Sequence, residues 1–98
     1  MLLNSLLNCD KIVGKLVVRT RKSGDSIRLA GRGCTKSLNK LYNECSIPVF
    51  LRDALPVIAD DNGVVWVCSI GVAQRCVVNS ATKRVIQIDV KREEGENE

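Results

Sequence analysis

The sequence predicts an α+β domain of five or six mostly antiparallel strands with one or two helices between them, and three observations carry that expectation. The runs "GKLVVRTRK" and "KRVIQIDVKR" alternate apolar and polar residues with period two, as half-buried strands do. Asn62-Gly63 sits between two apolar runs in "PVIADDNGVVWVCSIG", the strongest short-range hairpin signal. Leu38, Leu41, Tyr42 and Cys45 fall at i, i+3, i+4 and i+7, which makes one apolar stripe on a helix.

Residues 1–14 read as a lead-in helix or linker. The start "MLLNSLLNCDKI" lacks the basic head of a signal peptide, and Asn4, Ser5 and Asn8 interrupt its apolar run. The domain proper is expected over 15–91. In its first strand Arg19 and Arg21, two apart, share a face. "SGDS" is a turn, with Gly24 free to take a positive φ and Asp25 as its brace, and "IRL" is a short return strand. After the loop "AGRG" comes the helix "TKSLNKLYNEC", with Thr35 as N-cap and Lys36 and Lys40 four apart on one exposed side. "SIPVFLRDALP" is a second short helix, with Pro48 in its first turn and Pro56 ending it. The hairpin turning at Asn62 and Gly63 follows, then a strand at "VAQRCVV". A last strand places Ile86, Ile88 and Val90 on one face and Gln87, Asp89 and Lys91 on the other. Residues 92–98 carry four glutamates and are expected to be a disordered acidic tail.

Composition removes several classes of function. The chain has 98 residues, enough for one domain, and no apolar run near the ~18 residues of a membrane span, so a soluble cytoplasmic protein is expected. It has no histidine, which excludes Ser-His, Cys-His and His-metal chemistry within the chain. The five cysteines are odd in number and contain no Cys-x-x-Cys, so they read as reduced and mostly buried, with no metal site. A stand-alone enzyme would need a cysteine or carboxylate site.

Charge is more informative. The net charge is +4, but residues 11–40 hold nine basic residues against one acid, Asp25. Such a block suits a polyanion. "GRGCTKSLNKLY" superficially resembles a phosphate loop. Aligned on Lys36-Ser37, however, the two glycines of Gly-x-x-x-x-Gly-Lys-Ser/Thr fall on Ala30 and Thr35, so it is not a nucleotide site. "SGDS" is two residues short of the Ser-Gly-Gly-x-Asp-Ser loop of ATP pyrophosphatases. The aromatics are only Tyr42, Phe50 and Trp66, with Tyr42 and Trp66 on core positions. A basic surface poor in aromatics suits a duplex read through its backbone better than a single strand.

The segments "LVVRTRKSGDSIRL" and "TKSLNKLYNECSIPVFLRDALPVIADDNGVVWVCSIGVAQR" together resemble the C-terminal domain of bacterial tRNA(Ile)-lysidine synthases. That family shows Arg-x-Arg-x-x-Gly-Asp, here Arg19, Arg21, Gly24 and Asp25, then Lys-x-Leu-x-Lys-Leu/Phe, here Lys36, Leu38, Lys40 and Leu41. Ile-Pro and Arg-Asp-x-Leu-Pro-Val follow at Ile47, Pro48, Arg52, Asp53, Leu55, Pro56 and Val57. Trp-Val-x-x-Ile-Gly ends the series at Trp66, Val67, Ile70 and Gly71. The departure is Asn39, where the family often has another lysine.

The resemblance implies a β-sandwich-like α+β domain of the kind shared with the phenylalanyl-tRNA synthetase β subunit. It implies that the chain is a piece of an enzyme that joins lysine to the wobble cytidine of a minor isoleucine tRNA. This piece would grip the tRNA acceptor stem. ATP and Mg would belong to a catalytic domain outside this chain, leaving no cofactor here. The expected RNA-binding residues are Arg19, Arg21, Lys22, Arg28, Arg32, Lys36, Lys40 and Arg52, with Gly24, Asp25, Asn62 and Gly63 as structural turns. The expected partners are tRNA and the catalytic domain, with no membrane. The alternative is a protein-interaction or dimerisation domain, motivated by Leu2, Leu3, Leu6 and Leu7.

Overall fold

The computed structural model describes residues 6–91. Its centre is the hairpin that Asn62 and Gly63 signal. Strands β5 (Val57–Asp60) and β6 (Gly63–Val67) pair antiparallel around Asp61 and Asn62, and Gly63 takes φ +124°, a value that favours glycine. The strand β2 (Val17–Arg19) adds to the outer edge of β5 and β7 (Gly71–Val72) to that of β6, giving the order β2-β5-β6-β7.

Residues of both middle strands are buried along nearly their whole length, so both faces of this sheet are covered. On one face, Val57, Val64 and Val67 meet Ile27, Leu29, Leu38, Leu41 and Tyr42. On the other, Ile58, Val65 and Trp66 meet Leu7, Val72 and Cys76. Strict alternation would separate Val65 from Trp66. The pairing runs Ile58↔Trp66 and then Ala59↔Val64, so Val65 is the extra residue of a β-bulge, and both side chains reach the same core.

The first of these layers is a ribbon of β3 (Ser26–Arg28) and β4 (Thr35–Ser37), followed by the helix α1 (Leu38–Glu44) and the one-turn helix α2 (Val49–Arg52). The second is the strand β1 (Leu6–Asn8) paired with β8 (Val85–Gln87), with 3-10 turns at Cys9–Lys11 and Gln74–Cys76. The α+β class with antiparallel strands is therefore observed, with more and shorter strands than expected: eight in three small sheets among the described residues.

Several expectations need correction. Leu6–Asn8 is a strand, not a lead-in helix or linker, because β8 offers it a pairing edge and Leu7 is fully buried. The "IRL" strand does not return along β2; its partner is Thr35–Ser37, part of the expected helix. α1 therefore begins at Leu38, and its N-cap is Ser37, whose Oγ accepts from Lys40 N at 3.1 Å, rather than Thr35. Of the α1 stripe, Leu38, Leu41 and Tyr42 are buried, but Cys45 lies exposed at the helix end. "VAQRCVV" forms a 3-10 turn at Gln74–Cys76 in place of a strand. In the last strand Ile86 and Ile88 pack on the core while Val90 is half exposed. The cysteines are free, but only Cys76 is buried; Cys34 and Cys45 are exposed. Leu2, Leu3 and the tail 92–98 lie outside the described residues.

One buried acid holds the layers together. Asp60 accepts from Val13 N (2.9 Å), Asn62 N (2.8 Å) and both terminal nitrogens of Arg75 (2.9 and 2.7 Å). The Arg75 hydrogen bond leads in holding its carboxyl down, to about 2, against the opposing effect of burial.

Candidate nucleic-acid interface

Most of the expected binding residues lie around the turn after β2 and around α1. The turn itself is closed by Asp25, which accepts from Lys22 N at 2.7 Å and from both terminal nitrogens of Arg19 at 2.8 and 3.1 Å. Gly24, at φ +87°, lets the backbone reverse there. Burial pushes the Asp25 carboxyl up, but the bonds from Arg19 and Lys22 outweigh it and the net shift is downward. Arg19 is raised by the same Asp25 hydrogen bond. Both side chains are largely buried. Arg19 is thus committed to the turn, and the expected role of Asp25 as brace is what the geometry contains.

The braced turn docks on α1, where Leu38 N donates to Asp25 O at 3.1 Å. Arg21 lies beyond the end of β2 and takes partners of its own, apart from the Arg19–Asp25 pair. Its Nε donates to Asp53 Oδ1 at 2.9 Å, its Nη1 to Asn39 Oδ1, and its guanidinium stands 5.6 Å from the Tyr42 ring centroid. Asn39, the departure from the resembled pattern, therefore supplies an acceptor for Arg21. Arg52 approaches the same ring at 5.8 Å and donates two hydrogen bonds to Ile47 O, at 3.0 and 2.8 Å. Its partner is that carbonyl and not the adjacent Asp53. Tyr42 is fully buried among these groups. Burial raises its pKa, and its hydroxyl has no hydrogen-bond partner among the described residues.

Glu44 gathers two further cations, Lys36 at 2.7 Å and Arg32 at 3.7 Å, and the Lys36 hydrogen bond leads in lowering its pKa. Lys36 reaches it because it stands opposite Ile27 across the β3–β4 ribbon, on the face turned to the core and α1. Arg28 stands opposite Thr35, on the other face, where it lines a groove with Thr35, Asn62 and Arg75. The structure thus brings seven of the eight expected binding residues around α1 and leaves Arg28 on the other face of the ribbon, in a groove that reaches the Gly24–Asp25 turn. Those seven cations face three carboxylates: Asp25, Asp53 and Glu44.

Lys22 and Lys40 are exposed and form no ion pair among the described residues. Lys22 rims a polar hollow of about 320 Å³ shared with Arg21, Ser37, Asn39 and Asp53. The arrangement offers exposed ammonium groups over a floor of braced guanidiniums, which suits successive phosphates better than one small ligand. Sequence reasoning missed Arg21 as the partner of Asp53 and Glu44 as the partner of Arg32 and Lys36, since these pairs close over distances that no local pattern encodes. It also left Phe50 unassigned, although a one-turn helix reading Val-Phe-Leu cannot bury all three.

Comparison with known proteins gives a consistent result. The model of the TilS substrate C-terminal domain family matches residues 16–89. The tRNA(Ile)-lysidine synthase of Clostridium tetani is 33% identical over 89 residues, covering 91% of this chain and 19% of that protein. The Staphylococcus aureus (strain COL) tRNA(Ile)-lysidine synthase is 42% identical over 53 residues, 54% of this chain and 12% of that protein. The chain therefore spans less than a fifth of the length of these relatives. A crystal structure of a TilS C-terminal domain superposes with a TM-score of 0.70 at 28% identity, over 84% of this chain and 65% of that one.

Proposed function

This chain belongs to the TilS substrate C-terminal domain family, and from that premise we propose that it is a non-catalytic RNA-binding module. In this reading it grips the acceptor stem of a minor isoleucine tRNA, while a separate catalytic domain with ATP and Mg joins lysine to the wobble cytidine. The observation that carries the reading is the gathering of seven cations around α1 against three carboxylates, with Lys22 and Lys40 left free to meet phosphates.

The division of labour follows from burial. Arg19 and Arg52 hold the turn and the α2 entry, so they position the surface rather than touch RNA. Lys22 and Lys40 make direct phosphate contacts. Arg32 and Lys36 exchange Glu44 for phosphate, since an ion pair open to solvent is weakly held. The exposed cationic surface reads the duplex by backbone and shape.

Titrating the chain with an acceptor-stem minihelix at several salt concentrations tests this. Four to six phosphate contacts give a log–log salt slope of roughly −3 to −5 and micromolar or weaker affinity. Lys22→Ala and Lys40→Ala should each flatten the slope by about 1, and Arg28→Ala should leave it unchanged. A salt-independent affinity, or no binding at low salt, overturns the reading.

A further inference from the structure

We propose that Phe50 is a stacking platform for an unpaired base at the open end of a bound RNA stem, with the neighbouring cations taking the adjoining phosphates. The inference rests on the RNA-binding reading above and adds to it a second kind of contact, with a base rather than with the backbone.

The chain spends its three aromatics unequally. Tyr42 and Trp66 lie in the two cores, whereas Phe50 is 81% exposed, beside Val49 at 71%. The segment that carries Phe50 is held at both ends. Arg52 donates two hydrogen bonds back to Ile47 O before the helix, and Asp53, its C-cap, pairs with Arg21. A side chain on so fixed a turn is presented to solvent with little ordering left to lose on binding.

Its position relative to the cations supplies the occupant. Phe50 and Asp53 are three residues apart on one helical turn and so share a side. Asp53 leads to Arg21, Arg21 to Asn39, and these rim the hollow with Lys22. The exposed ring therefore lies on the side of α2 that carries Asp53 and, through it, Arg21. An apolar protein partner laid over Phe50 would have to cover those charges as well. An RNA answers both features, with a π-face for the ring and phosphates for the cations. Paired bases inside a stem keep their faces stacked on one another, so the base available to Phe50 is an unpaired one next to the stem end.

The test compares a blunt RNA stem with the same stem bearing an unpaired 3′ nucleotide, 2-aminopurine at that position serving as the fluorescent probe. The chain should prefer the overhang by roughly 5- to 100-fold and change the probe's fluorescence on binding. Phe50→Ala and Phe50→Leu should lose the preference and the fluorescence change, while Phe50→Trp keeps both. Blunt-stem affinity and salt slope should be the same in all four proteins, as should thermal unfolding, because the residue is exposed. The inference is overturned if Phe50→Ala keeps the overhang preference, or if it weakens blunt and overhang RNA equally. It is also overturned if the variant binds RNA normally but no longer associates with the remainder of the synthase, which would make the face a protein contact. Absence of all RNA binding overturns the phosphate reading too, whereas loss of the overhang effect alone leaves that reading standing.

Discussion

Asp60 has a side chain shielded from solvent, and its two oxygens receive four hydrogen bonds, from Val13, Asn62 and Arg75. With its carboxyl held near 2, below the ordinary 3.8, the folded state binds a proton there less readily than the unfolded chain. Its contribution to stability is therefore fully present above about pH 4 and is lost as pH falls toward 2, on the order of 2 kcal/mol in all. Asp25, also shifted down, loses its contribution in the same direction. Asp60→Asn should lower stability at pH 7 and flatten the acid limb between pH 4 and 2 in chemical denaturation series. An unchanged acid limb would show that Asp60 does not govern it. Arg19 and Arg52 belong to this structural group as well: a guanidinium held by a largely buried carboxylate or by a backbone carbonyl is committed to the fold rather than to a ligand.

Among the elements, the start of α1 shows how pairing competes with propensity. Thr35, Lys36 and Ser37 have an acceptable helical context, yet Ser26–Arg28 presents a strand edge, and pairing with it satisfies backbone groups on both sides. The cap is thereby displaced to Ser37. Ser37→Ala should cost about 1 kcal/mol in denaturant unfolding, and Thr35→Ala less than about 0.5 kcal/mol, since Thr35 is an exposed strand residue. The reverse order would place the cap at Thr35. Gln74–Cys76 makes the opposite choice: β7 ends at Val72, Ala73 forms an isolated bridge to Leu29, and the chain turns so that Cys76 enters the second core.

For the whole molecule, the middle sheet is covered on both sides, and the layer opposite the cationic face is closed by β1 against β8. Cys9 N donates to Arg84 O, and Asp10 accepts from Lys83 N, so the two ends of the described chain are tied together. Leu7, wholly buried within the chain's own core, is no longer a reason to invoke a partner surface. Leu7→Ala should cost about 2–5 kcal/mol by leaving a cavity between that layer and the sheet, measured as a lower denaturation midpoint at unchanged m-value. A cost within about 0.5 kcal/mol would mean that β1 lies outside the cooperative unit. The two layers thus divide the tasks, one presenting cations and the other closing the core.

The sequence by itself determined the α+β class, the hairpin at Asn62-Gly63, the buried stripe of Leu38, Leu41 and Tyr42, and the family, because these rest on local periodicity, turn chemistry and ordered motifs. The braced turn at Gly24 and Asp25 was legible for the same reason. Tertiary structure alone decided that Thr35–Ser37 is a strand, that Leu6–Asn8 pairs with Val85–Gln87, and that Arg28 departs from the other cations. It also decided which charges pair within the fold, Arg21 with Asp53 and Lys36 with Glu44. The physical reason is common to all of these. Strand edges and ion-pair partners are chosen across the fold by proximity, and proximity between residues 8 (Lys36 and Glu44) to 81 (Leu6 and Gln87) positions apart leaves no periodic trace in either segment.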